Sequence, residues 1–369
     1  MNNGLVLNKK NFTKFFISCV ILMLSVLPTL SFAQEKSENK AAEPAKAFNP
    51  KDIIFEHISD SHSWPVALPL VKEIFLPLPI ILYTDKGLEI FSSEKIRETE
   101  ENGVVQHPVY TGNYNSYVME GNHVKVADAN GKVDEAASKK VIDFSITRNV
   151  ASMWMAMLIL IIVFLSVASA YKKREGKAPK GLQSFLEPVV LFVRDDVAIP
   201  NIGIKAARYM PLLLTIFFFI LINNLLGLIP IFPAAYNLTG NIAVTLTLAA
   251  IILVVVNVSG NKYYWKHIFA PDIPWWLYII MVPVELIGVI SRPFALMIRL
   301  FANITAGHII VLSLISLIFI FNTIWMSPVS VVFVVFMDCI ELLVAFLQAF
   351  IFTMLSALFI GMAVEEHHH

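Results

Sequence analysis

The chain has 369 residues, 57% of them hydrophobic and 15% charged, with 28 basic side chains against 28 acidic. A soluble domain is about 45–50% apolar, so a mean hydropathy of +0.68 excludes an ordinary soluble enzyme and points to a membrane protein. The balanced charge leaves no basic footprint for a nucleic-acid partner. The two cysteines, Cys19 and Cys339, give no expectation of an internal disulfide.

Lys9, Lys10 and Lys14 precede an apolar run from Phe15 to Leu27, broken by Pro28 and followed by Ser31-Phe32-Ala33. Residues 1–33 therefore read as a signal peptide cut after Ala33. The run is about half the ~20 residues a spanning helix needs, which sets this reading against an uncleaved anchor. A lipoprotein signal at Cys19 is the weaker alternative, because the apolar run continues well past it.

Residues 34–142 are expected to be an exported N-terminal extension. Gln34 to Pro50 is rich in Lys, Glu, Ala and Ser, a composition that favours disorder. From about Lys51 to Val141 the sequence predicts a small, poorly packed module. Phe75–Tyr83 and Gly87–Phe91 flank Asp85-Lys86-Gly87 and predict a β-hairpin. His57, Asp60 and His62 are the metal-ligand candidates of this region. Solvated loop residues are the plainer reading, since no further ligand stands at the spacing a zinc site wants.

The remainder, residues 143–369, predicts an all-α polytopic membrane domain of about five membrane helices. Ala151 to Ala170 is the first. Lys172, Lys173, Arg174, Lys177 and Lys180 follow at once, and a cationic cluster marks the cytoplasmic side. The segment up to Arg208 mixes Leu182, Phe185, Leu186, Val189 and Val190 with charges and reads as an amphipathic helix on the inner surface. Met210 to Phe232 returns outward, carrying Asn223 and Asn224, which need partners in a protein interior. Pro233 to Gly240 has no Lys or Arg. Asn241 to Val258 comes back in, and Lys262, Lys266 and His267 mark an inner loop. Pro274-Trp-Trp-Leu-Tyr278 sets aromatic rings at an interface.

The last two tracts are too long for upright spans. Trp276 to Phe321 is about 46 residues, about 69 Å as one helix at ~1.5 Å per residue, against a hydrocarbon core of about 30 Å. It must lie steeply tilted or break in two. Asn322 to Pro328 offers a turn, and Val329 to Val364 forms the second arm. The C-terminus is expected on the cytoplasmic side.

These two arms carry the chemistry. A guanidinium at bilayer depth costs at least ~2.5–3.5 kcal/mol and cannot shed its proton, so Arg299 implies use of a fixed positive charge. Glu285, Arg292, Arg299 and Asn303 are 14, 7 and 4 residues from Arg299's position or at it. At ~100° per residue they fall within about 40° of one direction. His308 points roughly to the opposite face. Asp338, Glu341 and Gln348 lie on the last helix, the latter two sharing a face. Ionisable groups at this depth mark proton relays or ion pathways, and a His with a carboxylate can pass a proton near neutral pH. The competing structural reading makes Arg299 a buried neutraliser of Glu341. Glu285 with Arg292 reads equally as a plain helix-surface pair.

Arg299-Leu-Phe-Ala-Asn303 followed by Ala306-Gly307, with Leu347-Gln-Ala-Phe-Ile-Phe352, resembles subunit a of F-type ATP synthases from about Asp143 onward. Asn224-Leu-Leu-Gly-Leu-Ile-Pro230, Asn241-Ile-Ala-Val-Thr-Leu-Thr247 and Glu365-Glu366-His367 support it. The resemblance implies that Arg299 is the essential stator arginine, with Asn303 and Gln348 as polar neighbours. It implies that His308 and Glu341 are an interacting acid–histidine pair, exchanged in order relative to many bacterial members, and that Glu285 is linked to ion passage. Asp338 is a further candidate for the outer half-channel. The partners implied are the c-ring, b-type peripheral stalk subunits, the rest of the ATP synthase complex and the lipid bilayer. No cofactor is implied. Ala302 departs from a glycine common in the motif, and the exported module is not part of the family pattern. The rivals are a secondary transporter, for which no internal repeat appears, and a membrane-anchored binding protein. The chain has no Gly-rich phosphate loop, so no catalysis of its own is expected.

Overall fold

The computed structural model describes residues 60–66, 74–97, 99–101, 104–106, 108–128, 132–229, 236, 238–270, 273–321 and 325–365. The expected signal peptide, the segment 34–50, His57 and the C-terminal residues 366–369 lie outside the described residues. An N-terminal β module precedes a bundle of long helices.

The module contains β1 (Ser63–Val66), β2 (Ile74–Pro77), β3 (Pro79–Thr84), β4 (Gly87–Ser92), β5 (Thr99–Glu101), β6 (Val104–Gln106), β7 (Tyr110–Thr111), β8 (Ser116–Glu120), β9 (His123–Ala127) and β10 (Ile142–Asp143). They form the sheets β1-β2, β10-β3-β4, β5-β6 and β7-β8-β9, with every pairing antiparallel. The expected hairpin is present: Thr84 pairs with Gly87 across the Asp85-Lys86 turn. Gly87 has φ +141°, a conformation that favours glycine.

The module is better packed than its sequence suggests. Along β3 burial alternates, Ile80 and Leu82 facing in, as a two-residue period demands. They meet Phe91, Ile96, Tyr117, Met119 and Val126 in one core. Short strands from distant stretches each contribute one or two inward residues, so no single window looks hydrophobic enough. Glu89, only 3% exposed, accepts hydrogen bonds from the backbone N–H of Asn113 (3.2 Å) and Tyr114 (2.9 Å) and from the Tyr117 hydroxyl (3.1 Å). Such a set of donors is what makes a buried carboxylate tolerable.

Among the helices that follow are α1 (Arg148–Lys173), α2 (Leu182–Phe192), α3 (Ala206–Gly227), α4 (Ile242–Ser259), α5 (Lys262–Phe269), α6 (Tyr278–Phe321) and α7 (Met326–Val364), with shorter helical turns over Val193–Ala198 and Ile199–Ile202 joining α2 to α3. Among the described residues, five helical runs are long and apolar enough to cross a membrane, the α2–α3 stretch Leu182–Gly227 counting as one. The module joins α1 closely. Thr147 offers the helix no side-chain cap. The first N–H groups of α1 instead find the Ser61 carbonyl (Arg148 N, 2.8 Å) and Asp60 Oδ1 (Asn149 N, 3.2 Å), which satisfies donors a helix start leaves open. Strand β10 spans residues 142 and 143, and backbone bonds from Phe144 to Ile81 and from Ile146 to Pro79 continue the tie.

Three expectations need correction. The amphipathic segment after α1 does not rest only on a surface. Leu186, Val193, Val197, Ala198 and Ile202 are buried with α3 and α7 in the main core, while Leu182 and Phe185 stay exposed. The expected inner loop at Lys262 is the short helix α5. Pro328 belongs to the first turn of α7 rather than to the turn before it. Proline is accepted there because the first helical N–H groups lack intrahelical partners anyway.

The long tract after Trp276 is one unbroken helix of 44 residues, running through Pro283 and Pro293. It is about 66 Å long at ~1.5 Å per residue. Of the two solutions to the length problem, the chain therefore takes the tilted one. Helix α7 spans 39 residues and packs along α6 and α3, and α6 also packs on α4.

Candidate functional site

Where α3, α6 and α7 meet, a small cavity is lined by Asn223, Asn224, Tyr236, Thr239, Asn303, His308 and Glu341, with Gly227, Leu228, Ile304, Val344 and Ala345. Its volume is ≈ 20 Å³ for water centres, enough for about one molecule. The walls are built from polar pairs. Asn224, 3% exposed, donates to the Ala345 carbonyl of α7 (3.2 Å) and accepts from the Thr239 hydroxyl (2.7 Å). Asn223, 1% exposed, donates to the Phe219 carbonyl (2.7 Å), and its Oδ1 lies 3.3 Å from the Tyr236 hydroxyl. That hydroxyl also lies 3.2 Å from the Ser152 carbonyl of α1. The two asparagines thus have the interior partners their position required.

His308 Nδ1 lies 3.8 Å from Glu341 Oε2. Both side chains are mostly buried, and Glu341 Oε1 has no hydrogen-bond partner among the described residues. An acid and an imidazole thus face each other beside a water-sized space. Gly307 makes this approach possible, because a Cβ there would stand 2.6 Å from Glu341 Oε1. Asp338 is half-buried one turn before Glu341.

Arg299 stands apart from this cluster. It is exposed on the protein's own surface and makes no hydrogen bond or ion pair with the described residues. The neutraliser role for Glu341 is therefore not realised; the partner of Glu341 is His308. Asn303 is also exposed, one turn from Arg299, and borders the cavity. Gln348 is buried at 2% and does not bond Arg299. Glu285 Oε2 and Arg292 Nη2 are 3.9 Å apart, the helix-surface pair of the plainer reading.

The structure thus brings Asn303, His308 and Glu341 together and leaves Arg299, Glu285 and Gln348 outside the cavity. Sequence reasoning missed Tyr236, Thr239, Gly227 and Gly307 as parts of the site. Two of the metal candidates, Asp60 and His62, are described, and each has a neighbour of its own. Asp60 accepts from the backbone N–H of Ser61 and Asn149, and His62 Nε2 lies 3.4 Å from Asp143 Oδ2. Among the described residues no three His, Cys, Asp or Glu side chains are grouped to hold a metal.

Residues 150–361 match the family model described as "ATP synthase A chain". The chain belongs to that family. It is 51% identical over 233 residues to the ATP synthase subunit a of Chloroherpeton thalassium, covering 62% of this chain and 69% of that protein. It is 50% identical over 234 residues to the ATP synthase subunit a 2 of Prosthecochloris aestuarii, covering 62% and 71%. For the ATP synthase subunit a of Myxococcus xanthus the figures are 45% over 235 residues, 62% and 76%. Residues 53–144 match a second model, described as "Domain of unknown function (DUF8433)". The long α6–α7 pair and its polar cluster thus belong to a membrane-embedded subunit of an ATP synthase.

Proposed function

We propose that this chain is the proton-translocating stator subunit of the membrane sector, and that Arg299 faces a carboxyl-bearing ring of c subunits. The observation that carries the reading is the exposed Arg299 guanidinium on a helix of membrane depth, with no partner among the described residues of its own chain. A fixed cation there wants an anion from a neighbouring subunit. The ring carboxylate is that anion. It turns through lipid only when protonated, since burying it ionised and unpaired is prohibitive. Beside Arg299 its ionised form is favoured, so the proton leaves there.

The His308–Glu341 pair and its cavity, with Asp338 nearby, form the outer half-channel that loads the ring. Asn303, between the cavity and Arg299, links loading to the arginine. Gln348 and Glu285 are supporting polar groups, Glu285 on the inner route. One charge crossing 100 mV yields about 2.3 kcal/mol, so several protons are collected per ATP as the rotor turns.

The cationic cluster Lys172–Lys180 sets the α1–α2 connection and the C-terminus on the cytoplasmic side of a bacterial inner membrane. The signal peptide at 1–33 and the extension at 34–142 are then exported, residues 143–369 are the membrane domain, and b-type stalk subunits hold the assembly. The test is ATP-driven proton pumping by the reconstituted complex carrying Arg299→Lys. Lysine keeps a charge but lacks the planar, permanently protonated fork, so pumping and proton-driven synthesis are abolished. Wild-type rates in that variant overturn the reading.

A further inference from the structure

We propose that the N-terminal β module is a clamp on the outer half-channel: Trp64 of β1 seats Tyr236 over the cavity and restricts water access to His308 and Glu341. This rests on the proton-channel reading and assigns a role to a module that the reading leaves without one.

Three observations meet at Tyr236. First, its ring stands edge-on to Trp64, with centroids 6.5 Å apart and planes at 89°. Both rings are buried, Trp64 to 7% and Tyr236 to 2% exposure. An edge-to-face pair of this kind has a preferred geometry as well as contact area, so it fixes where the Tyr236 ring sits. Second, the Tyr236 hydroxyl lies against Asn223 Oδ1 and the Ser152 carbonyl, which ties the ring to α3 and α1 at the cavity wall. Third, the Tyr236 carbonyl presses on α3 at Gly227, where a Cβ would meet it at 2.9 Å. Tyr236 is thus gripped from the module on one side and from the helices on the other. It lines a space whose other walls carry His308, Asn303 and Glu341.

The module is itself anchored. Asp60 and Ser61, just before β1, bond the first N–H groups of α1, and β10 holds the connection to α1 against β3. Trp64 therefore follows closely on residues bonded to the same helix that supplies the Ser152 carbonyl. Trp64 and Tyr236 act as positioning residues: neither exchanges a proton here, and each fixes the geometry of the groups that do.

The test reads access directly. In the assembled complex, with Cys19 and Cys339 changed to Ser, Val344→Cys places a thiol on the cavity wall. A membrane-impermeant cationic methanethiosulfonate is added from the outer face, and the modification rate is followed by mass. Trp64→Ala is expected to raise that rate at least ten-fold, and Trp64→Phe, which restores a ring, to return it to within about two-fold of the parent. An unchanged rate in Trp64→Ala overturns the proposal, as does an equal acceleration by Trp64→Phe and Trp64→Ala. If Trp64→Ala fails to assemble, Trp64→Leu is read by the same criteria, since it keeps apolar bulk but no ring. Proton pumping by Arg299→Lys, measured alongside, reports on the parent reading alone, so the two can fail separately.

Discussion

His308 Nδ1 on α6 lies 3.8 Å from Glu341 Oε2 on α7, beside a cavity the size of a water molecule. The residues are 33 positions apart in sequence and reach each other because two long helices run side by side. The pair can hold one proton on either partner, so its chemistry depends on having one acid and one imidazole rather than on which helix carries which.

The double exchange His308→Glu with Glu341→His is therefore expected to retain more proton-driven ATP synthesis than either single exchange. Each single exchange leaves two acids or two imidazoles face to face and should lose on the order of 10²-fold, the usual weight of a positioned acid–base group. Synthesis rates in vesicles energised by a defined proton gradient measure this. A double variant worse than both singles sinks the coupled relay.

Much of this was legible beforehand, and the limits have physical reasons. Spans declare themselves through hydropathy, and Arg299, His308 and Glu341 through the cost of polar groups at depth. Tyr236 gave no such signal, and Gly307 stood only as part of the motif that carries the resemblance, with no role attached. A loop tyrosine and a helical glycine are ordinary by composition, and they matter only through what a distant segment brings against them. The β module looked loose because Ile80, Phe91, Tyr117 and Val126 come from four separate strands and meet only after folding. The unbroken course of α6 was one of two solutions that length alone allowed, and it is packing on α4 and α7 that accompanies the uninterrupted passage through Pro283 and Pro293.

Asn224→Leu should destabilise the bundle. It removes the donor to the Ala345 carbonyl and leaves the Thr239 hydroxyl, 1% exposed at its residue, without its acceptor. Stranding buried polar groups costs about 1–3 kcal/mol. For a domain of this size that is roughly 2–4 °C of melting midpoint per kcal/mol. Adding Thr239→Val takes away the stranded hydroxyl, so the double variant should melt higher than Asn224→Leu alone. Thermal unfolding of the detergent-solubilised complex, followed at this subunit, decides it. Additive losses would mean the hydrogen bond carries no weight.

The attachment of the module to α1 should weaken in acid. Burial pushes the Asp143 carboxyl upward, but the His62 imidazole beside it and hydrogen bonding from Ser145 outweigh that and hold the group below its ordinary value of 3.8. The contacts are His62 Nε2 at 3.4 Å and the Ser145 N–H at 2.8 Å. A folded-state value below the unfolded one means the contribution is complete above the unfolded pKa, near 3.8, and is lost as pH falls through the folded value. Asp143→Asn should therefore lower the module's resistance to proteolysis at pH 6, with the gap from wild type narrowing below about pH 4. A gap that stays constant across that range would rule out ionised Asp143 as the cause.

Gly307→Ala tests whether the close approach of α7 to α6 is a requirement of the channel or an accident of packing. The added Cβ would stand 2.6 Å from Glu341 Oε1 and 3.0 Å from its carboxyl carbon, well inside contact distance. The backbone of α6 cannot retreat cheaply, because Leu296 and Leu300 pack it into the main core. The long Glu341 side chain gives way instead, turning its carboxylate away from His308 and from the cavity. Assembly should survive, since a helical alanine is favoured over glycine by about 1 kcal/mol and offsets part of the strain. Proton-driven synthesis should fall by roughly ten-fold or more, because a small misplacement of a proton-transfer pair costs about that much or worse. Glu341→Asp, introduced together with Gly307→Ala, shortens the acid by one methylene and should recover part of the rate. Full activity in Gly307→Ala, at normal subunit levels, would mean that the carboxylate does its work from some other position.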